Sequence, residues 1–377
     1  MRKFRSSTRA RFIPTVCSIV LSTVLAGLAW HPLAAGASPA PSLTCDGTWR
    51  VSTTPNRPGV ENVLHGAFAV PPTNVWAVGD APGNAPFVLH HTSKGWSTAS
   101  LPTVQTKDEL FGVSGITTTS VWAVGDYTHN GDHPLTYHWD GKAWSHAVSP
   151  GAGDGSRLTA VSTVAGTGAW ATGYYITSPG YYQAFYFHRV SSKWVIVKAP
   201  APPGIGSQLW SLRMVSPSLG WAVGAWQDGS GDDRLLVEKW DGSSWKIADQ
   251  SSTYGALFSV VTPTPGTVEA VGEYQHEQPV VASFDGSAWS DGYVDPSGGY
   301  FNAATLDSSG DVLAVGLDGA YQTLIEDGSG LSLARVASPS PGVSNFLEGA
   351  TSNGSAAWVV GEQVVGGQGK TLVEYTC

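Results

Sequence analysis

Acidic and aromatic residues recur directly after a repeated glycine, in a pattern suited to binding sugars. The acid column consists of Asp80, Asp126, Glu273 and Glu362, and the next column consists of Tyr127, Tyr175, Trp226 and Tyr274. Carboxylates accept hydrogen bonds from sugar hydroxyls, and flat rings stack on sugar C–H faces, so the pair of columns suits a glycan site. The structural alternative is that the acids bond to neighbouring segments and the rings cover the bases of loops.

The segments that follow these glycines, such as "GDYTHNGDHP" and "GAWQDGSGDDR", add further candidates. Three converging ligands are needed for a metal site, and the aspartates lack the D-x-D-x-D-G spacing of a calcium loop, so we expect no metal and no cofactor. The candidate ligand-binding set is Asp126, Tyr127, His129, His133, Tyr174, Tyr175, Trp226, Asp228, Asp232, Glu273, Tyr274 and His276.

Catalytic patterns are mostly missing. No Gly-x-Ser-x-Gly segment has the strand-to-helix setting of a nucleophilic serine. A sialidase-like site needs an arginine cluster, and only Arg157 and Arg213 are expected near the starts of inner strands. A hydrolase or lyase that uses two carboxylates, drawn from Asp126, Asp228 and Glu273, stays open as an alternative.

Seven copies of one motif organise the chain. They run from "NVWAVGD", with Gly79, to "AAWVVGE", with Gly361, at a mean spacing of 47 residues, which is typical of propeller blades. Six copies are followed by a second motif such as "HWDGKAW", whose Asp-Gly pair indicates a tight hairpin. The alternating strands predict an all-β, seven-bladed β-propeller with four antiparallel strands per blade. The recurring tryptophans are expected to join the blades, whereas Glu269, at a tryptophan position, is expected at a solvated edge.

The missing seventh copy of the second motif is divided between the chain ends. "LVEYTC" at the C-terminus and "CDGTWRV" near the N-terminus together match "LVEKWDGSSWKI" of residues 236–247. The last blade is therefore expected to be completed by the N-terminal strand. In a secreted chain with two cysteines, a disulfide between Cys45 and Cys377 would replace the covalent turn.

The first 37 residues have the form of a signal peptide. Five basic residues precede an apolar run, and Ala35-Gly36-Ala37 fits a cleavage site. We expect a signal peptide at 1–37, a short linker at 38–44 and one propeller domain at 45–377; an uncleaved signal anchor is the alternative. The leader carries five of the 20 Lys+Arg and none of the 29 Asp+Glu, so the mature chain has 15 basic and 29 acidic residues, a net charge of −14. That charge argues against nucleic acid and anionic membranes as partners.

The "WAVGD…WDGxxW" repeat resembles that of bacterial secreted β-propellers related to the kelch, Asp-box and tryptophan–aspartate repeat groups. The resemblance covers residues 44–377 and implies the fold, while propellers serve as enzymes, lectins and scaffolds alike. The repeat departs from all three groups. One glycine stands where kelch repeats have two, and Asp and Gly are adjacent where Asp-box hairpins have a residue between them. The Gly-His pairs that precede the strands of tryptophan–aspartate repeats do not occur as a series. No functional residue is therefore carried over.

The loops of a four-stranded blade alternate between two faces. The first-to-second and third-to-fourth turns form a uniform-turn face, and the other connections, which differ between copies, form a variable-loop face. Variable loops on a fixed scaffold commonly carry function. We therefore expect a secreted, monomeric, non-catalytic binding module, with an extracellular glycan or protein partner on the variable-loop face. The alternatives are a carbohydrate-active hydrolase or lyase in the axial pocket and a structural surface spacer.

Overall fold

The computed structural model describes residues 46–377, apart from 60, 72, 105–106, 167, 178–179, 275–276 and 295–297. Within these residues the chain forms seven four-stranded antiparallel sheets and no helix. The predicted all-β, seven-bladed propeller is confirmed. The described residues accordingly offer no helix that could cross a bilayer. The expected signal peptide, the linker, Cys45 and His276 lie outside the described residues.

The strands follow the repeat closely. The first strand in the chain is β1 (Arg50–Val51). Blades 1 and 2 contain β2 (Val63–Val70), β3 (Asn74–Ala81), β4 (Ala85–Thr92), β5 (Gly95–Thr98), β6 (Asp108–Thr117), β7 (Ser120–Thr128), β8 (Asp132–Trp139) and β9 (Trp144–His146). Blades 3 and 4 contain β10 (Asp154–Val164), β11 (Gly168–Ile176), β12 (Tyr182–Val190), β13 (Lys193–Lys198), β14 (Gly206–Ser216), β15 (Leu219–Gln227), β16 (Asp233–Trp240) and β17 (Trp245–Asp249).

The remaining blades have the same arrangement. Blade 5 contains β18 (Ala256–Val261), β19 (Val268–Tyr274), β20 (Gln278–Phe284) and β21 (Trp289–Tyr293). Blade 6 contains β22 (Gly299–Leu306), β23 (Val312–Asp318), β24 (Thr323–Ser329) and β25 (Ser332–Arg335). Blade 7 contains β26 (Ser344–Ser352), β27 (Ala357–Val365) and β28 (Gln368–Thr376), with β1 as its outer strand.

The two ends of the chain build blade 7 together, as predicted. Strand β1 pairs antiparallel with β28, with Arg50 opposite Tyr375 and Val51 opposite Glu374. The N–H of Gly47 donates to the carbonyl oxygen of Cys377 at 2.9 Å. Cys377 is disulfide-bonded, while its expected partner Cys45 is outside the described residues, so the pairing stays a prediction. These backbone bonds close the ring of blades.

Tryptophans join neighbouring blades. The indole of the second strand in one blade meets the indole of the fourth strand in the next blade edge to face: Trp76 and Trp144 are 5.2 Å apart at 90°, and Trp122 and Trp194 are 5.2 Å apart at 78°. Each such contact lies in an apolar cluster shared by two blades. Large buried aromatic surfaces of this kind contribute a few kcal/mol each. The prediction that these residues hold the blades together is confirmed.

Glu269 does not lie at a solvated edge, so that expectation is wrong. Its side chain is buried, and Oε2 accepts a hydrogen bond from the backbone N–H of Gly330 in the neighbouring blade at 2.8 Å. A blade in the interior of a ring is covered on both faces, so a polar residue at a tryptophan position must find a partner there.

Candidate functional site

A close backbone approach explains the repeated glycine. A Cβ on Gly125 would lie 1.8 Å from the carbonyl oxygen of Glu109 on the inner strand of the same blade, a distance no side chain tolerates. The corresponding distance is 1.8–2.0 Å at every copy: Gly79, Gly125, Gly173, Gly224, Gly272, Gly316 and Gly361. The close approach suggested by the sequence is therefore confirmed in all seven blades.

The inner strand bulges where it passes each glycine. In blade 2 the register shifts between Leu110 and Gly112, which leaves Phe111 as the extra residue, and the same shift occurs in the other six blades. A bulge redirects the side chain of the extra residue. The seven extra residues, here called the bulge ring, are His65, Phe111, Thr159, Trp210, Phe258, Asn302 and Glu348.

All seven residues of the bulge ring line one cavity on the propeller axis, with a volume of about 630 Å³. The cavity is bounded at the variable-loop face by residues such as Asn84, which lies between β3 and β4. Its walls follow the inner strands toward the uniform-turn face, as far as Ser352. Seven different copies of one strand therefore direct their variable residue at one space.

The sequence contains a signal for this ring that the glycine-based columns do not include. In six copies the bulge residue follows a leucine, and in the seventh it follows Phe301. A glycine, alanine or serine comes next in every copy. The flanks are constant because they pack between blades, whereas the central residue differs in almost every copy. Such variation in a fixed frame is typical of a binding position.

One side of the ring carries a partly buried charged triad. His65 Nδ1 lies 2.5 Å from Glu348 Oε2, and Nε2 lies 2.6 Å from Asp80 Oδ1. Burial alone would lower the pKa of His65, but the charge of Glu348 and the hydrogen bond to Asp80 outweigh it and raise the pKa to about 9. The imidazole is thus charged at neutral pH and donates from both nitrogens.

A second cluster lies beside the triad. Arg157 Nε is 2.7 Å from Asp126 Oδ1, and its guanidinium is 3.6 Å from Glu109 Oε2 and 4.7 Å from the ring centre of Phe111. Burial raises the pKa of Asp126 to about 7, against the opposing charge of Arg157. Glu109 and Arg157 line the cavity, whereas Asp126 is only 3% exposed. The mouth of the cavity therefore combines fixed charges with aromatic rings.

Aromatic rings continue around the wall. Trp210 and Phe258 meet edge to face with centres 5.3 Å apart, and both are half-buried. Together with Phe111 they give the cavity flat apolar surfaces beside Thr159 and Asn302. The combination of rings with hydrogen-bonding groups, expected for the loops, is thus present on the inner strands.

Arg213 lies in the opposite half of the cavity, near the end of β14, and not at the start of an inner strand as expected. Its side chain is exposed to the cavity, and it forms no ion pair or hydrogen bond with any residue the structure describes. Burial by the cavity walls lowers the pKa of Arg213. The two arginines therefore do not form a cluster.

Two of the four residues of the acid column hold inner-strand cations. Asp80 binds His65, and Asp126 binds Arg157 of the next blade. Glu362 is buried, and Glu273 is half-buried. Asp126 and Tyr127 are consecutive in one strand, so they point to opposite blade faces. The two columns are adjacent in sequence but do not share one surface.

The aromatic column packs between blades. Tyr127 contacts the cluster between blades 1 and 2, and Tyr175, Trp226 and Tyr274 contact the corresponding clusters of their own blades. Tyr174 is half-buried, with its ring 5.0 Å from that of Tyr182 in the same blade. These contacts agree with the structural alternative stated for the rings.

The loop candidates are held by local bonds. His133 Nε2 lies 2.8 Å from the carbonyl oxygen of His129, and its ring stacks on Tyr127 at 5.2 Å. Asp228 pairs with Arg234 at 2.9 Å and accepts the backbone N–H of Asp232 at 3.1 Å. Among the described residues no group of three or more potential ligands is positioned to hold a metal ion.

The comparisons with known proteins agree on the fold alone. No protein-family model and no curated protein sequence matches the chain. The WD40 propeller domain of Doa1 is similar, with a TM-score of 0.56 and 10% identity over 87% of this chain and 97% of that one.

Two further solved structures are similar and were determined with a ligand. YCF48 bound to D1 peptide has a TM-score of 0.57 and 16% identity, over 89% of this chain and 97% of that one. Aleuria aurantia lectin in complex with Fucα1-6GlcNAc has a TM-score of 0.52 and 14% identity, over 74% of this chain and 95% of that one. At these identities the similarity establishes a β-propeller and leaves the ligand of this chain open.

Proposed function

We propose that this protein is a secreted, non-catalytic binding module that holds a glycan in its axial cavity. The observation that carries the proposal is the bulge ring: one position varies within a constant repeat, and all seven side chains line the same space. A volume of about 630 Å³ lies within the range of small-ligand sites. The loops of the variable-loop face would contact the parts of a larger ligand outside the mouth.

The composition of the wall supports a glycan as the ligand. Trp210, Phe258 and Phe111 offer rings for stacking. Asn302 and Glu348 are bonded to Leu347 and His65, whereas the hydroxyl of Thr159, which donates to Leu209, has a lone pair that can accept from a sugar hydroxyl. A propeller with a bound sugar and another with a bound peptide are both structurally similar to this chain. A peptide ligand is therefore an outcome that the experiment below must be able to detect.

The charged groups support binding and not hydrolysis. A glycosidase places an acid and a second carboxylate on either side of the scissile bond. Here Asp80 and Glu348 both contact His65, and Asp126 and Glu109 both contact Arg157. Each of these carboxylates is thus already paired with a protein cation, which argues against its use as the acid or nucleophile of a glycosidase.

The test is a glycan array with residues 38–377. We expect selective binding that weakens by about tenfold or more in Trp210→Ala, because a stacking ring in the cavity is lost. Trp210→Phe should restore part of the affinity. The matched control is Leu331→Ala, which removes an exposed apolar side chain of the uniform-turn face and should change nothing.

The variant Tyr127→Ala, Trp226→Ala, Tyr274→Ala tests the loop columns in the same assay, with a thermal melt to confirm folding. If it removes binding while Trp210→Ala keeps it, the site lies on the loops. If the array is blank and a peptide library binds instead, the ligand class proposed here is wrong.

Secretion and the disulfide belong to the same proposal. A Cys45–Cys377 bond would close a loop of 332 residues, for which the chain-entropy model gives at most about 5–6 kcal/mol. The double variant Cys45→Ser, Cys377→Ser is therefore expected to melt well below the oxidised protein and close to the reduced one. Mass spectrometry of the mature chain should show the linked peptides under non-reducing conditions; two free thiols would contradict the pairing.

A further inference from the structure

A second cavity, of about 540 Å³, lies in the crevice between blades 2 and 3, away from the axis. Its walls come from β7, β8 and the end of blade 2 on one side, and from the turn between β12 and β13 on the other. The lining residues include Trp122, His138, His146, Arg189, Lys193 and Trp194. Nothing in the proposed function uses this crevice.

One substitution within the repeat distinguishes this interface from others. At three other blade interfaces a third-strand ring covers the tryptophan of the preceding blade: Trp139 lies 5.1 Å from Trp76, Trp240 lies 4.8 Å from Trp170, and Phe284 lies 6.0 Å from Trp221. Blade 3 has Arg189 at this position. Its guanidinium carbon lies 4.8 Å from the Trp122 ring and 5.7 Å from the Trp194 ring.

The crevice is basic although the mature chain as a whole is strongly acidic. Its lining contains Arg189 and Lys193, and no aspartate or glutamate among the described residues. Burial lowers the pKa of His138 and of His146, so these two lining histidines add no charge at neutral pH. The side chains of Arg189 and Lys193 form no hydrogen bond or ion pair with a described residue. Both cations are therefore uncompensated by protein carboxylates.

The adjacent turn shows the same change of charge. The third-to-fourth strand turns of blades 2, 4 and 5 begin with Asp140, Asp241 and Asp285, each of which accepts N–H groups of its own turn. Blade 3 has Val190 there, and it has Lys193 where the other three have alanine or serine. Compared with blades 2, 4 and 5, blade 3 therefore has one acidic residue fewer and two basic residues more at its interface with blade 2.

We propose that this crevice binds an oxyanion, the sulfate or carboxylate group of an acidic sugar. A guanidinium stacked on aromatic rings keeps the N–H groups of its edge available, which is how arginine commonly recognises oxyanions. Lys193 supplies a second charge, and Ser192 lines the same space and can donate its hydroxyl. The volume accommodates one or two sugar rings.

The test compares sodium sulfate with sodium chloride at equal ionic strength, by thermal shift on the mature chain. Sulfate stabilises folded proteins in general by exclusion from their surface, an effect that grows steadily with concentration. Wild type should show, in addition, a saturable stabilisation that chloride does not give. Arg189→Trp should weaken this saturable part by about tenfold or more, and it should fold, because three other blades carry an aromatic ring at this position. Arg335→Gln, an exposed arginine of blade 6, is the matched control and should respond like wild type.

Galactose 6-sulfate and galactose then distinguish a bound sugar from a free anion. Tighter binding of galactose 6-sulfate than of inorganic sulfate, with no binding of galactose, supports the acidic sugar. Equal affinity for galactose 6-sulfate and inorganic sulfate would contradict an acidic sugar as the ligand and leave a site for free oxyanions. If chloride matches sulfate, or if Arg189→Trp responds like wild type, the site itself is wrong. Trp210→Ala should leave all of these responses unchanged, so this result is independent of the axial site.

Discussion

Gly125→Ala is expected to lower the free energy of unfolding by more than about 3 kcal/mol, a loss above the usual range for overpacking. The added Cβ would lie 1.8 Å from the carbonyl oxygen of Glu109 and 2.8 Å from its carbonyl carbon. These are backbone atoms, so no side-chain rotation can relieve the contact. The inner strand would have to leave its bulge, which would displace Phe111 from the cavity wall.

Gly151→Ala is the matched control. A Cβ at Gly151 meets nothing within 4 Å, and its φ is outside the left-handed region, so the free energy should stay within about 0.5 kcal/mol of wild type. Urea denaturation of both variants provides the measurement. A Gly125→Ala protein as stable as Gly151→Ala would show that the glycine is not required by the bulge, and the bulge ring would lose its structural basis.

The sequence was sufficient for the fold because the residues that join blades are repeated. Glycine, tryptophan and the divided last motif all recur for packing reasons, and they predict the number of blades and the closure by the N-terminal strand. The site was harder to predict because His65, Phe111 and Trp210 share a position but no chemistry. Residues that recur in every copy can be recognised from the sequence as part of the scaffold. A position whose residue type changes from copy to copy is not recognised in this way.

Strand alternation explains the other difference. The sequence places Asp126 next to Tyr127, and a loop could bring both to one ligand. In the structure they belong to β7, so one points toward Arg157 and the other toward blade 1. Neighbouring positions predict a shared surface only where the chain is not in a strand.

The free energy of unfolding is expected to rise as the pH falls from about 8 to about 5. Glu238 and Glu374 are fully buried, and burial raises the pKa of each from 4.5 to about 8, although the hydroxyl of Tyr186 donates to Glu238 at 2.6 Å. Between pH 4.5 and 8 the folded chain retains protons that the unfolded chain releases, so rising pH favours unfolding. Each group contributes at most about 1.4 kcal/mol per pH unit.

His65 acts in the same direction. Its folded pKa of about 9 lies above the ordinary value of 6.5, so its stabilising contribution is complete below pH 6.5 and is lost as the pH rises through 9. A stability measured by urea denaturation at pH 5, 6, 7 and 8 should therefore decrease at each step. A flat or increasing series would contradict the burial of these groups.

The variant Glu374→Leu isolates the contribution of one of the two buried glutamates to this pH dependence. An apolar or aromatic residue fits this position, because four other blades have one there: Leu89, Tyr137, Phe187 and Ala282. Neither carboxyl oxygen of Glu374 has a hydrogen-bond partner among the described residues. We expect a gain of about 2–4 kcal/mol at pH 8 that shrinks toward pH 5, where the wild-type carboxyl is already neutral. Asp154→Asn, at an exposed site, should leave the pH dependence unchanged. An equal gain at both pH values would mean that the substitution acts through packing alone, because only the removal of a titrating group makes the gain depend on pH.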